Sequence, residues 1–192
     1  MTAVRIETER LVLQQLPPSA AERAAAYWRE NREHMARWQP PRPPDFETET
    51  FWRERLARSL EEYQTDRSLR LQMLAKDDEA GAILGWVSFT EIVRGPVQLA
   101  WLGYNVDHRL QGRGLTYEAV AAAVPWAFTH LVLHRVRAGY EPVNERSGRL
   151  LRRLGFVVEG YARDYIYTGG AWRDQILTSL VNPAPITPPF WK

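Results

Sequence analysis

The stretch His108-Arg109-Leu110-Gln111-Gly112-Arg113-Gly114-Leu115-Thr116 constrains this chain more than any other. It follows an apolar, strand-like run, Val97 to Val106, and opens an alanine-rich, helix-like run, Tyr117 to Phe128. Glycines two apart at a strand-to-helix junction let the backbone turn tightly and leave its N–H groups uncovered. Those donors lie at the positive end of a helix dipole, so the junction reads as a cradle for a pyrophosphate, or simply as a tight turn into a helix. A charged hydrogen bond there contributes about 1.5–3 kcal/mol. The dinucleotide fingerprint needs a third glycine three residues after the second, where Tyr117 stands. The Walker loop needs Gly-Lys-Ser/Thr, and the only lysines are Lys76 and Lys192. Both alternatives fail. What remains is Arg/Gln-x-x-Gly-x-Gly/Ala, met by Arg109, Gly112 and Gly114.

The rest of the composition narrows the chemistry. At 192 residues, 45% hydrophobic and with eight tryptophans, the chain has the material for one domain with a substantial core. We expect that domain over 1–182 and a proline-rich tail over 183–192. The absence of cysteine excludes disulfides, thiolate metal sites and a cysteine acyl-enzyme. Of the four histidines only His130 and His134 are spaced like metal ligands, and they span an expected helix end, so no metal site is expected. A net charge of +2 is too small an excess to imply nucleic-acid binding. The first residues lack an apolar targeting core, and the longest apolar run, Ala119 to Phe128, is too short for a membrane span. A cytoplasmic location is the expectation.

Periodicity sets out the elements. Leu11 to Leu13 reads as a strand, Ser19 to Asn31 as a helix, with a second short helix ending near Trp38, and Phe46 to Tyr63 as a helix. From Leu69 the period becomes two, giving a half-buried strand, then strands over Ile83 to Val93 and Val97 to Val106. After the glycine loop come a helix to about Leu131, a strand Arg135 to Glu141 and a helix Asn144 to Leu154. The last elements are strands Phe156 to Tyr167 and Trp172 to Val181. This ordering predicts an α+β fold with a mixed central sheet of about seven strands flanked by helices, antiparallel first, with one helical crossover between parallel strands.

A second signature lies in Pro142-Val143-Asn144-Glu145-Arg146-Ser147-Gly148, ending in Leu154-Gly155-Phe156. Taken alone it is a helix capped by Asn144 and terminated by Gly155. A third is Glu159-Gly160-Tyr161-Ala162-Arg163-Asp164-Tyr165, followed by Gly170-Ala171-Trp172-Arg173-Asp174. The glycine loop resembles the acetyl-CoA pyrophosphate loop of the GNAT acyltransferases, and Asn-x-x-Ser with Leu-Gly-Phe resembles that superfamily's next motif. With Glu9-Arg10-Leu11, Tyr27 to Asn31, Trp38-Gln39-Pro40 and Val93-Arg94-Gly95, the third signature resembles the ribosomal-protein alanine N-acetyltransferase branch (RimJ type). The likeness runs from about Glu9 to Val181.

The resemblance implies a GNAT fold and transfer of an acetyl group from acetyl-CoA (coenzyme A) to a protein N-terminus, that of an alanine-starting ribosomal protein, by direct attack of the amine. Residues implied to hold the cofactor are Tyr104, Asn105, Val106, Arg109, Gln111, Gly112, Arg113, Gly114, Leu115, Thr116 and Asn144. Ser147 is implied near the thioester sulfur, and Asn31, Trp38, Glu91, Tyr165 and Trp172 around the acceptor. No glutamate stands at the family's usual base positions, which here are occupied by Ala138-Gly139-Tyr140 and by Ile166. Asp164 is then the expected catalytic base, with Glu91 the other strand carboxylate. Arg146, Arg149 and Arg153 share a helix face that is either solvated or touches CoA phosphates. Trp38, Tyr165, Tyr167 and Trp172 divide between acceptor pocket and core. A small-molecule amine acceptor, or a weakly catalytic CoA-binding assembly factor docking on the ribosome, are the other readings. The sequence leaves the oligomeric state open.

Overall fold

Strands form where apolar residues alternate, and the alternation also decides which side of the sheet each residue faces. In a computed structural model describing residues 4–184 and 186, these strands join one eight-stranded sheet in the order β1-β2-β3-β4-β5-β6-β8-β7. The strands are β1 Arg5–Glu7, β2 Leu11–Gln14, β3 Leu69–Ala75, β4 Gly85–Val93, β5 Leu99–Val106, β6 Arg135–Tyr140, β7 Val157–Thr168 and β8 Ala171–Val181. The helices are α1 Ala21–Glu30, α2 Arg32–Ala36, α3 Glu49–Gln64, α4 Leu115–His130 and α5 Glu145–Arg153. All neighbouring strands are antiparallel except β5 and β6. The expected α+β fold with its single parallel crossover is present. The extra strand is β1, whose three residues carry too short a pattern to be read.

Helices cover both faces of the sheet. On one, Leu71, Val87, Phe89, Ala100, Leu102 and Val136 pack with Ala119, Val120 and Ala123 of α4. On the other, Val12, Leu74 and Trp86 pack with Ala24, Ala25 and Trp28 of α1 and Trp52 and Leu56 of α3. There Trp28 and Trp52 stack with ring centroids 5.8 Å apart. Strand β3, expected to be half-buried, is covered on both sides, and even Gln72 is enclosed, its side-chain oxygen accepting from the Leu16 N–H.

The first helical stretch is not continuous. A 3-10 turn over Pro18–Ala20 leads into α1, and the chain breaks at Asn31 before α2. Helix α3 begins later than expected because Thr48 caps it, accepting the Phe51 N–H. Pro125 stays inside α4 on its exposed side, where the carbonyl its ring leaves unpaired is not enclosed in the core. Strand β8 runs to Val181, after which the Asn182 N–H donates to the His134 carbonyl. Most of the expected proline-rich tail, residues 185 and 187–192, lies outside the described residues.

Candidate active site

Strands β5 and β6 pair only through Leu99–Arg135, Ala100–Val136 and Trp101–Arg137. Beyond those residues β5 continues to Val106 on the β4 ladder and β6 continues to Tyr140 on the β8 ladder. The two strands therefore splay, and each leaves one row of backbone N–H and C=O groups facing a gap. A free strand edge is a template for another amide-bearing chain.

Alternation puts different chemistry on the two sides of the gap. Tyr104 points with Ala100 and Leu102 toward α4 and α5, and its hydroxyl lies 2.7 Å from Ser147 Oγ. Helix α5 is held there by two local features. Asn144 Oδ1 accepts the Ser147 N–H at 3.1 Å, capping the helix as its sequence predicts. Gly148 lies under the Tyr140 ring, where an added Cβ would stand 2.8 Å from a ring carbon. Burial pushes the Tyr104 hydroxyl up to about 12, against the opposing hydrogen bond from Ser147. It is thus a neutral phenol at ordinary pH, able to share or donate a proton at the splay.

Just past β5, the glycine loop takes the shape its residues dictate. Gly112 and Gly114 have φ of +77° and +80°, and Gly114 caps α4 without any side-chain partner. An added Cβ at Gly112 would meet nothing within 4 Å, so glycine is there for its backbone angle and open approach, not to fit a protein neighbour. The first N–H groups of α4, from Leu115 and Thr116 onward, face outward at the helix N-terminus.

A polar network anchors this loop to α1 and α2. Asp107 accepts from the Arg109 backbone and guanidinium and from Asn31 Nδ2 at 3.2 Å. Burial works against its charge, yet these donors hold its carboxyl at about 2. Asn31, expected beside the acceptor, is completely enclosed. Its amide also donates to the Tyr27 carbonyl and accepts the His108 N–H, so it ties elements together and lines no surface. The Arg109 guanidinium is engaged by Asp107 and Glu30, leaving the glycine backbone as the exposed part of the motif. Tyr27 donates to Asn105 Oδ1 at 2.6 Å. Gln111 bridges His34 and Arg146, its amide N–H₂ against His34 Nε2 at 2.6 Å and its oxygen accepting from Arg146 at 2.7 Å. Burial, together with His108 and Arg146, lowers the pKa of His34, consistent with its neutral ring accepting that bond. The three-arginine face divides: Arg146 holds the loop, Arg149 pairs with Glu145, and Arg153 lies 4.5 Å over the Tyr117 ring. Arg113 is exposed, and its carbonyl accepts from Arg10.

On the opposite side of the sheet, Trp101 of β5 meets Tyr165 of β7 with ring centroids 6.3 Å apart. The tip of the β7–β8 hairpin reaches the segment after α2, where the Gly169 N–H donates to the Gln39 carbonyl at 3.3 Å next to half-buried Trp38. Trp172 is exposed and packs its edge on Tyr167, 5.7 Å away. Asp164 and Glu91 are both exposed and both have positive φ, +46° and +51°, at bulges in β7 and β4. Neither makes contact with the Tyr104–Ser147 pair. Glu141, which sequence reasoning passed over, follows Tyr140 on the far side of β6. It is buried and accepts from Thr168 Oγ1 at 3.1 Å. The Tyr104–Ser147 pair itself carries no sequence signal, since only the fold brings its partners together.

A family profile described as an acetyltransferase (GNAT) domain matches residues 10–157. The chain belongs to the GNAT acetyltransferase family. Over 180 residues this GNAT enzyme is 37% identical to the [ribosomal protein uS5]-alanine N-acetyltransferase of Escherichia coli K12, covering 94% of this chain and 92% of that one. A crystal structure of ribosomal-protein-S5-alanine acetyltransferase from Vibrio fischeri matches it with a TM-score of 0.88 at 37% identity, over 94% and 97% of the two chains. RimJ of Mycobacterium smegmatis in complex with CoA-disulfide shares the fold, with a TM-score of 0.84 at 24% identity over 93% and 86% of the chains. Among the described residues no helix is long and apolar enough to cross a membrane.

Proposed function

We propose that this GNAT enzyme acetylates the N-terminal α-amine of an alanine-starting ribosomal protein, drawing the acetyl group from acetyl-CoA. The observation that carries the reading is the splay itself: a strand edge, an outward-facing helix N-terminus and a paired Tyr104–Ser147 on one side, and an aromatic face with carboxylates on the other. The residues fit the cofactor. The β5 edge over Tyr104, Asn105 and Val106 would pair with the pantetheine amides, and the loop from Gln111 to Thr116 would hold the pyrophosphate, with Asn144 beside the arm. When bound, acetyl-CoA supplies an acyl thioester whose thiolate leaves readily. The similarity to the E. coli and V. fischeri enzymes supports the acceptor.

On the α5 side, Ser147 would donate a hydrogen bond to the departing sulfur while accepting one from Tyr104, which burial keeps protonated. On the hairpin side, Trp101, Tyr165, Trp38 and Trp172 seat the first residues of the acceptor. The proton of the amine passes to a carboxylate there. We assign it to Asp164; Glu141, the enclosed carboxylate at the end of β6, is the second reading because it is the one buried on that side. An α-amine has a pKa of about 7.7–8.0 against about 10.4 for lysine, so about a tenth is already neutral at pH 7. Such an acceptor needs only a weak base.

Steady-state kinetics from pH 6 to 9 test both points. A free alanine N-terminus is acetylated far faster than an N-blocked peptide containing lysine; equal rates would overturn the acceptor. Asp164→Asn lowers kcat at pH 6 and converges on the wild type at pH 9, where the amine is largely neutral. If Glu141→Gln shows that pattern and Asp164→Asn does not, the role belongs to Glu141.

A further inference from the structure

The β7–β8 ladder has an unusual interruption. Ala162 pairs with Gln175 and Ile166 with Arg173, so Arg163, Asp164 and Tyr165 stand opposite Asp174 alone. A chain with two surplus residues at one point must bulge, and the ladder groups there lose their partners. Asp174 replaces them. Its Oδ1 accepts the Asp164 N–H at 2.8 Å, and its Oδ2 accepts the Tyr161 hydroxyl from the strand just before the bulge. The Tyr161 hydroxyl, then the Asp164 N–H, hold the Asp174 carboxyl below its ordinary range.

The conformation so fixed is an uncommon one. Asp164 has a φ of +46°, in the left-handed region that few residues besides glycine occupy, aspartate and asparagine among them where local hydrogen bonds support it. Core packing imposes nothing here, because Tyr161, Arg163, Asp164, Tyr165 and Ile166 are all exposed. The bulge accomplishes one thing of use: it brings Tyr165 over Trp101, on the side of the splay opposite Ser147.

We propose that Asp174 is a positioning residue for acceptor recognition, clamping the three-residue bulge that sets Tyr165 against Trp101. The proposal rests on the reading of that face as the acceptor side. It accounts for a half-buried aspartate of β8 that touches neither the glycine loop nor the Tyr104–Ser147 pair.

The test compares Asp174→Ala, Asp174→Asn and Tyr161→Phe by kinetics with an alanine-starting peptide and by amide hydrogen exchange over residues 163–165. At pH 9, where the amine is largely neutral and Asp164 is not needed as a base, Asp174→Ala is expected to raise the acceptor KM by tenfold or more, with kcat and the acetyl-CoA KM within threefold of the wild type, and to speed exchange at Asp164. Asp174→Asn keeps an oxygen that accepts the Asp164 N–H and restores both readouts. Tyr161→Phe removes one of the two bonds and falls between. An acceptor KM unchanged in Asp174→Ala would overturn the proposal, as would unchanged exchange at Asp164 or an Asp174→Asn variant as impaired as Asp174→Ala. Failure of the acceptor reading is visible separately, as lack of peptide turnover by the wild type; the exchange measurement then decides the clamp.

Discussion

Ser147 and Asn144 sit on the same helical turn, yet their side chains do different work. Asn144 caps α5 and so sets where Ser147 lies, which makes Asn144→Ala the more damaging change. It loses about 0.5–2 kcal/mol of helix stability together with the contact proposed to the cofactor arm. Ser147→Ala loses only the one hydrogen bond proposed to the leaving sulfur, and Tyr104 remains beside it. Calorimetric acetyl-CoA binding and kcat, measured on both variants, are expected to show the larger deficit in Asn144→Ala. Asp107 offers a second measurement. Its carboxyl is held at about 2 by Arg109 and Asn31, so the stability it contributes is present above about pH 4 and is lost as pH falls toward 2. The effect is of the order of 2 kcal/mol. Asp107→Asn should lower the urea midpoint at neutral pH and flatten its decline between pH 4 and 2.

At the scale of elements, the loop between β5 and α4 is where sequence and structure agree most directly. Both glycines hold angles that valine adopts only under strain, and an added Cβ would stand in open space at Gly112 and 3.6 Å from the Arg10 guanidinium at Gly114, on the face proposed to take the pyrophosphate. Gly112→Val and Gly114→Val should each weaken acetyl-CoA binding by more than tenfold in calorimetry. Glycines, caps and strand alternation are local chemistry, which is why β3 through β8, α5 with its Asn144 cap and Gly155 stop, and the loop itself were legible before any coordinates. What was not legible is non-local. The three residues of β1 become a strand only by pairing with β2, and the break at Asn31 depends on Asp107, which lies on another element. The partnership of Tyr104 with Ser147, the enclosure of Glu141 by Thr168 and the engagement of Arg109 by Glu30 have the same origin. The motif located the glycine loop and its turn, while the pairing of side chains across the sheet had to come from the fold.

For the molecule as a whole, the sheet consists of two antiparallel halves, β1 to β5 and β6 to β8, sharing three parallel residue pairs. A ligand pairing with both free edges binds the two halves at once. At a concentration a hundredfold above its Kd, acetyl-CoA should add about 2.7 kcal/mol to stability, visible as a rise in Tm of several degrees. The gain in hydrogen-exchange protection should concentrate over residues 102–106 and 138–140, and a ligand that raised Tm without protecting either edge would place the cofactor elsewhere. The short parallel seam also bears on the order in which the molecule is built. The pairs β1–β2, β3–β4, β4–β5 and β7–β8 are hairpins closed by short loops, whereas β2–β3, β6–β8 and the seam each require the chain to return across intervening helices or strands. The hairpins can therefore form early, and the seam belongs with the longer returns that follow them. The cleft proposed for the thioester is the part of that seam which never closes, where β5 and β6 run on past their last shared pair.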